Sequence, residues 1–180
     1  MSIIKTRTGV MVDPLEPKSE QIVMEDIAHA LSMLCRANGH FKHFYSVGQH
    51  SINCMKEAKA RGLSERVQLA CLLHDASEAY LSDVTRPVKE ELPRYKEIEA
   101  PLQEMIWNKW LDTPLSERER EIVFEIDDAL LVHEFLELMD TQIMDIVPVL
   151  SSVPVFEFTG FETCKEEFLR LLQQVHEDAQ

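Results

Sequence analysis

Glycine is scarce in this chain, with 5 among 180 residues, and the motifs that depend on glycine are missing. Neither a GxGxxG turn nor a GxxxxGK loop followed by Ser or Thr occurs, which disfavours nucleotide binding through a glycine cradle at a helix N-terminus. No GxSxG segment is present to hold a serine nucleophile. Apolar runs long enough to cross a lipid bilayer are also missing, so we expect no membrane partner.

Positive charge is in short supply as well. Lys and Arg total 18 against 32 Asp and Glu, which gives a formal net charge of -14. This balance is opposite to the basic surface of proteins that bind nucleic acid or anionic lipid, so a nucleic-acid polymer is not an expected partner. Small phosphorylated substrates would also be repelled unless a cation or a local arginine compensated. A site that processes anions in this chain therefore almost requires a metal ion.

The four cysteines are widely spaced and include no CxxC pair. Their number is too low for the disulfide scaffold of a small secreted protein. The first residues, MSIIKTRTGVMVDP, lack the apolar core and small-residue cleavage site of a signal peptide. We therefore expect the protein to work in the cytoplasm.

Hydrophobic residues make up 45% of the sequence and recur mainly at spacings of three and four, which predicts an all-α fold. The length suits a single domain over 1–180. A small hairpin is expected around Thr8 and Gly9. Serine caps predict helix starts at Ser46, Ser64 and Ser116. The predicted helices cover 25–37, Ser46 onward, Ser64 through His74, 86–92, 97–110, Ser116 through Leu138, and a last amphipathic segment that includes 164–175.

Polar residues interrupt the apolar pattern at three separate places: at His50, at His74 with Asp75, and at Asp127. Asp127 lies four residues after Val123, so its carboxylate is expected to point toward the core. An unpaired buried carboxylate costs several kcal/mol, and a cation or a hydrogen-bond network must compensate.

Each of these residues also has an ordinary explanation. A single histidine is usually a satisfied core or surface residue, an arginine can neutralise an aspartate, and Asp128 could be the inward residue instead of Asp127. The combination is more informative, because two imidazoles and two carboxylates suit a first-row divalent metal. They are too few to fill six positions, which leaves room for water and substrate.

The ordered set His50, His74-Asp75 and Asp127 resembles the signature of the HD-domain metal-dependent phosphohydrolase superfamily. Within it, the run HDASE at 74–78 followed by Asp83 is similar to the HDxxE…D run of the bacterial 5′-deoxynucleotidases. Arg36, fourteen positions before His50, and the string VGQHS at 47–51 resemble that group too. The likeness covers roughly 24–140.

The resemblance implies an HD-type helical bundle with its core at about 24–140, on which the C-terminal helix packs. It implies that His50, His74, Asp75 and Asp127 bind one divalent metal ion, since no further HH pair is present for a second. Mn, Co, Fe and Zn all remain open, because the ligand types do not separate them.

Three further residues receive roles from the same resemblance. Glu78 and Asp83 would act as catalytic residues on the attacking water and the leaving group, and Arg36 would hold the phosphate. Without the resemblance, Glu78 could be a solvated carboxylate at a helix end, Asp83 a loop or cap residue, and Arg36 the partner of a surface acid.

The expected reaction is hydrolysis of a phosphomonoester, and the first candidate substrate is a nucleoside 5′-monophosphate. Related nucleotidases carry a tryptophan directly after the arginine, whereas Ala37 follows here, and the string RANGH at 36–40 looks closer to a phage and prophage branch. Sugar and base selection therefore stay open. The alternatives are a triphosphate or dinucleotide substrate, or a non-catalytic metal-containing module that binds a nucleotide or a protein. A homodimer is expected, with Phe156 and Phe158 suited to the interface.

Overall fold

The computed structural model describes residues 3–178, with side chains as far as 175. Over these residues the chain forms eight α-helices, two short 3-10 helices and one two-stranded sheet, which confirms the all-α prediction. The elements in chain order are β1 (Ile4–Lys5), β2 (Met11–Val12), a 3-10 helix (Ser19–Gln21), α1 (Met24–Met33), a second 3-10 helix (Arg36–Gly39), α2 (Val47–Ala60), α3 (Glu65–Leu72), α4 (Glu78–Leu81), α5 (Arg86–Glu90), α6 (Pro93–Trp110), α7 (Glu117–Met139) and α8 (Phe161–Asp178).

The two strands form the hairpin that the sequence predicts. They pair antiparallel, with Ile4 opposite Val12, and Gly9 in the turn has a φ of 93°, a conformation that glycine adopts at little cost. Thr8 donates from its backbone N–H and its hydroxyl to the buried carboxylate of Asp26, both at 2.7 Å. These bonds fasten the turn to α1.

The predicted helix starts are confirmed at all three serine caps. The Ser46 hydroxyl accepts from the Gln49 N–H at 3.1 Å at the start of α2, and Ser116 caps α7 in the same way. Ser64 accepts from the Val67 N–H at the start of α3. These starts are predictable because a cap is a contact between residues three apart in the sequence.

The core lies where α2 packs against α1, α3 and α7, and α8 covers α1, α2 and α3. Gly48 marks the tightest point of this packing. A Cβ at that position would lie 2.9 Å from Cys164 Sγ and 3.2 Å from backbone atoms of Leu31 and Ser32. Only glycine therefore lets α2 approach α1 and α8 this closely.

Two helices end earlier than the sequence predicts. The first stops at Met33, because the backbone beyond it pairs with the start of α2 and the residues before it: the Leu34 carbonyl accepts from the Val47 N–H, and the backbone N–H of Arg36 donates to the Tyr45 carbonyl at 2.9 Å. The third stops at Leu72, and 73–77 form turns before α4. The helix predicted over 97–110 begins earlier, at Pro93, so Pro101 lies inside α6.

The long segment between α7 and α8 is held by one face of α2. Gln49, Asn53 and Glu57, spaced four residues apart, bond in turn to Glu157, to Val155, and to Ser151 with Ser152. We call these three side chains the α2 ladder. They hold the segment almost entirely through its backbone groups, and some of its apolar side chains point outward: Val153 is 92% and Phe158 64% exposed.

Phe156 differs from the expectation for an interface residue. It is half-buried and packs against the ring of Tyr45 at a centroid distance of 6.1 Å. Among the described residues, every helix is either too short or too polar to pass through a lipid bilayer.

Candidate metal centre

Four side chains that the sequence singles out meet at one point of the bundle. His50 comes from α2, His74 and Asp75 from the turns after α3, and Asp127 from α7. The Nε2 atom of His50 lies 3.0 Å from Asp127 Oδ1 and 3.2 Å from His74 Nε2. His74 Nε2 lies 3.2 Å from Asp75 Oδ2 and 3.7 Å from Asp127 Oδ1. The Nε2 atoms of both histidines thus lie within 4 Å of a carboxylate oxygen of each aspartate.

The path by which His74 and Asp75 reach this point differs from the sequence expectation. The helix predicted to run through His74 ends at Leu72, so both residues lie in turns, and α4 begins only at Glu78. The turns are held by Gln103 of α6, which donates to the Leu73 carbonyl at 2.7 Å and accepts from the Ser77 N–H at 3.1 Å. Sequence reasoning missed Gln103, since a single glutamine in a helix carries no local signal.

Each histidine uses its other ring nitrogen in a second hydrogen bond. His74 Nδ1 lies 2.8 Å from the Cys71 carbonyl oxygen, and His50 Nδ1 lies 2.6 Å from Glu134 Oε1. A carbonyl only accepts, so His74 must carry a proton on Nδ1. In its neutral form, the His74 ring therefore presents a lone pair at Nε2, toward the Nε2 atom of His50. This orientation by a backbone carbonyl or a carboxylate is typical of metal-ligating histidines.

Glu134 is a member of the site that sequence reasoning missed. Its side chain is fully buried on α7 and contacts His50 through Oε1 and the Arg36 Nε at 3.1 Å through Oε2. Glu134 follows Asp127 by seven residues, two helical turns, and interrupts the same apolar stripe. The argument that selects Asp127 from the sequence would therefore have found Glu134 too.

Arg36 joins two carboxylates of the site. Its Nη1 lies 3.3 Å from Asp75 Oδ2, so Arg36 pairs with Asp75 as well as with Glu134. The explanation of Arg36 as the partner of a surface acid is therefore wrong, because the side chain is only 11% exposed and both partners belong to the site. Burial would lower the pKa of Arg36, but the charges of Glu134 and Asp75 raise it well above its ordinary value.

The carboxylates of the site favour positive charge at its centre. Burial and the charge of Arg36 would lower the pKa of His50, but Glu134 and Asp127 raise it. Burial would also lower the pKa of His74, which Asp75 and Asp127 raise well above its usual range. Burial would raise the pKa of Asp127, but hydrogen bonds from both histidines hold it well below its ordinary value. In the absence of another cation, protons supply the positive charge between these groups.

Asp128 is not the inward residue, since its side chain is 45% exposed and accepts a hydrogen bond from Arg86. Glu78, by contrast, is only 4% exposed, so the explanation as a solvated helix-end carboxylate is wrong. Its Oε2 is buried without a hydrogen-bond partner among the described residues, and its Oε1 lies 3.7 Å from Lys89 Nζ. Burial raises the pKa of Glu78 well above its ordinary value, and the charges of Asp75 and Asp83 raise it further.

A cavity of about 290 Å³ opens beside these groups. Its wall includes five of the seven residues that the sequence assigned to the site, and their carboxylates and guanidinium face one space. The five are Arg36, Asp75, Glu78, Asp83 and Asp127. Burial raises the pKa of Asp83, which favours its protonated form. Apolar side chains complete much of the remaining wall, among them Phe41, Leu131, Phe135 and Ile143.

A cysteine lies close to the same point. The Sγ atom of Cys54, one turn after His50 on α2, is 3.5 Å from His50 Nε2. His50, Cys54 and His74 bring their donor atoms within 4.8 Å of one another, and this group could hold a metal ion. Two sets of donors, one completed by the thiol and one by the two aspartates, therefore share the same pair of histidines.

Comparison with known proteins gives relatives but no activity. The chain is 38% identical to the uncharacterized protein YfdR of Escherichia coli strain K12 over 110 residues, which are 61% of this chain and 59% of that protein. It is 41% identical to an uncharacterized protein of Rhodobacter capsulatus over 101 residues, 53% of this chain and 51% of that protein. The chain thus spans between half and three-fifths of the length of these relatives. No protein-family profile matches the chain.

Proposed function

We propose that this chain is a metal-dependent phosphohydrolase of the HD-domain type. It would cleave a phosphomonoester to an alcohol and phosphate. The substrate that we propose first is a nucleoside 5′-monophosphate. The observation that supports this proposal above all is the meeting of His50, His74, Asp75 and Asp127 beside a cavity of about 290 Å³. This volume is at the lower end of the range for small-molecule sites.

The residues at this point fit a divalent metal ion. The donor atoms lie 3.0 to 3.9 Å apart, and two ligands that each stand about 2.0–2.2 Å from one ion are separated by roughly that distance. The Nε2 lone pairs of two neutral imidazoles 3.2 Å apart would repel each other unless a cation lay between them, and a metal ion can take the place of the proton there. A bound Mn, Co, Fe or Zn ion would lower the pKa of water and offset the charge of the phosphoryl group.

The two aspartates are better partners of the histidines than Cys54. Asp75 and Asp127 line the cavity, whereas Cys54 does not belong to its wall. Burial raises the pKa of the Cys54 thiol well above its ordinary value, and the charges of Asp127 and Glu134 add to this rise. A thiol must lose its proton to bind a metal ion, so the ionised aspartates are favoured as ligands.

The side chains around the cavity suit the steps of ester hydrolysis. Arg36 would bind the phosphate oxygens, for which a guanidinium is well shaped. Glu78 takes a proton from the attacking water while the water oxygen bonds to phosphorus. The ester bond then breaks with its electron pair on the leaving oxygen, which takes a proton from Asp83. Positive charge near Asp75 would lower the pKa of Glu78 and so favour the ionised base.

The apolar part of the wall supports a nucleoside as the leaving group. Phe41 and Phe135 stand edge to face with ring centroids 5.9 Å apart. Aromatic rings in a cavity wall offer packing surfaces for the base of a nucleotide. Ala37 also lines the cavity, at the position where related nucleotidases carry a tryptophan. We therefore extend the proposal to ribonucleotides and deoxyribonucleotides alike.

Two finer expectations complete the proposal. The cytoplasm would be the compartment, which agrees with the four cysteines being free thiols. A homodimer would be the working form, and the outward apolar side chains of the segment before α8 would suit a contact between copies.

The test is a screen for phosphate release on metal-loaded protein, with the bound metal measured in the same sample. Glu78→Gln is expected to lower turnover of the best nucleotide by about 10²–10⁴-fold, because the base is lost, and to keep the metal. Glu137→Gln is the matched control, since Glu137 is an exposed glutamate on α7. A metal-loaded wild type that releases no phosphate from any nucleotide would instead support a non-catalytic binding module.

A further inference from the structure

Glu134 is a charged residue in the centre of the bundle with two partners and no exposure. Its side chain is 0% exposed, it accepts from His50 Nδ1 at 2.6 Å, and it accepts from Arg36 Nε at 3.1 Å. The neighbouring positions of the α7 stripe are the fully buried Leu130 and the almost fully buried Leu138. Leucine at 134 would extend this apolar stripe without any desolvation of charge.

Packing alone does not account for this residue. A buried ion pair carries a desolvation penalty, and replacing such a pair with apolar side chains is often neutral or stabilising. The roles of its two partners give a better account. One of them is a proposed metal ligand, and the other is the proposed phosphate-binding arginine.

The contact with His50 decides which ring nitrogen faces the proposed metal. When the proton of the neutral imidazole sits on Nδ1 and points to Glu134, the lone pair of Nε2 points to Asp127 and His74. A carboxylate in this position fixes the ring orientation and strengthens the histidine as a ligand.

Glu134 and Asp75 together hold the guanidinium of Arg36 from two sides. Nε is bound to Glu134 and Nη1 to Asp75 at 3.3 Å, while Nη2 has no hydrogen-bond partner among the described residues. Arg36 lines the cavity in this orientation. The carboxylate of Glu134 therefore contacts both the proposed metal ligand and the arginine.

We infer that Glu134 is a positioning residue, which acts through His50 on the metal and through Arg36 on the phosphate of the substrate. This inference rests on the proposed function and assigns no contact between Glu134 and substrate. Both partners of Glu134 donate hydrogen bonds, and a glutamine has one acceptor oxygen in place of two. Glu134→Gln therefore leaves either His50 or Arg36 facing an N–H group.

The experiment measures the dissociation constant of Mn²⁺ in the metal-free full chain, and then that of inorganic phosphate in the metal-loaded protein. Glu134→Gln is expected to raise the Mn²⁺ dissociation constant by about 10–100-fold and to weaken phosphate binding. Glu134→Asp, which keeps the charge, is expected to recover part of both. Glu137→Gln, three residues further along α7, is expected to match the wild type.

A folded Glu134→Gln protein with wild-type affinity for Mn²⁺ and phosphate would overturn the inference. Nitrogen-15 NMR of the zinc-loaded wild type tests it independently of whether the variants fold. We expect a proton on Nδ1 of His50, and a proton on Nε2 would overturn the inference. A wild type that binds neither metal ion would refute the proposed function itself, and the role of Glu134 would fall with it.

Discussion

At the scale of single residues, the donors around His50 present a choice between a thiol and two carboxylates. Cys54 Sγ and Asp127 Oδ1 lie 3.5 Å and 3.0 Å from the same His50 Nε2 atom. The thiol is a soft donor that favours zinc, whereas the carboxylates suit harder ions such as manganese. The identity of the ligand would thus bear on which metal the protein selects.

Cys54→Ala is expected to bind Mn²⁺ as tightly as the wild type, because the two aspartates complete the ligand set. With Co²⁺, neither protein is expected to show a sulfur-to-cobalt charge-transfer band in the near ultraviolet. Cys71→Ala is the matched control, since Cys71 is equally buried beside the site but its thiol is not part of the donor group. A charge-transfer band that Cys54→Ala removes and Cys71→Ala keeps would make Cys54 a ligand.

Single residues of the site were predictable from sequence where they broke a pattern. His50, Asp75 and Asp127 stand out because a polar group in an apolar stripe needs a partner, and the structure brings them together. Cys54 was not predictable, because a cysteine fits an apolar helix face without conflict. Gln103 acts on the turns at 73–77 from a distant helix, which no local pattern records.

At the scale of elements, the α2 ladder connects one helix to the segment before α8. Glu57 is fully buried and accepts from the backbone N–H groups of Ser151 and Ser152 and from the Ser152 hydroxyl at 2.6 Å. Burial would raise the pKa of Glu57, but these bonds and the Arg61 ion pair hold it below its ordinary value. The ionised carboxylate is therefore the form that binds the segment.

Glu57→Gln is expected to lower the free energy of unfolding at pH 7 by about 1–3 kcal/mol, since buried donors lose a charged acceptor. The pKa of Glu57 is lower in the folded than in the unfolded chain, so its ionisation stabilises the fold above the unfolded pKa of about 4.3. This contribution is lost as the pH falls through the lower folded value.

The check is urea unfolding of wild type and Glu57→Gln between pH 7 and pH 3. The difference between the two proteins should shrink below the unfolded pKa, and Glu137→Gln should show no such trend. A difference that stays constant over this range would contradict the role of the charge.

Helix starts and helix ends differ in how far the sequence determines them. The starts of α2, α3 and α7 follow from serine caps, which are local contacts. The ends of α1 and α3 depend on partners in other segments, such as Tyr45, nine residues after Arg36, and Gln103, thirty residues after Leu73. The sequence therefore predicted the elements and missed the turns that carry Arg36, His74 and Asp75.

At the scale of the whole molecule, the net charge is -14, and carboxylates also outnumber cations along the wall of the cavity. Cavity residues Asp75, Glu78, Asp83 and Asp127 outnumber the cations Arg36, Arg86 and Lys89. A divalent ion bound among them would compensate mutual repulsion in the folded state only. Metal binding should therefore raise the free energy of unfolding of the chain.

Mn²⁺ at about 100 times its dissociation constant is expected to stabilise the fold by about 2.7 kcal/mol and, at this chain length, to raise the Tm by roughly 5–10 °C. Differential scanning calorimetry with and without a chelator measures this shift. Asp127→Asn is expected to lose most of it. An equal rise in wild type and Asp127→Asn would place the metal elsewhere.

The α2 ladder also affects which substitutions the segment before α8 can tolerate. Apart from the hydroxyls of Ser152 and Thr159, its bonds end on backbone amides and carbonyls of 151–157, which every residue except proline supplies in full. The route of this segment is thus encoded in the helix beneath it, and residues such as Val153 can be exchanged without redirecting the main chain. A label or a short graft at that position is expected to leave the side chains around the cavity in place.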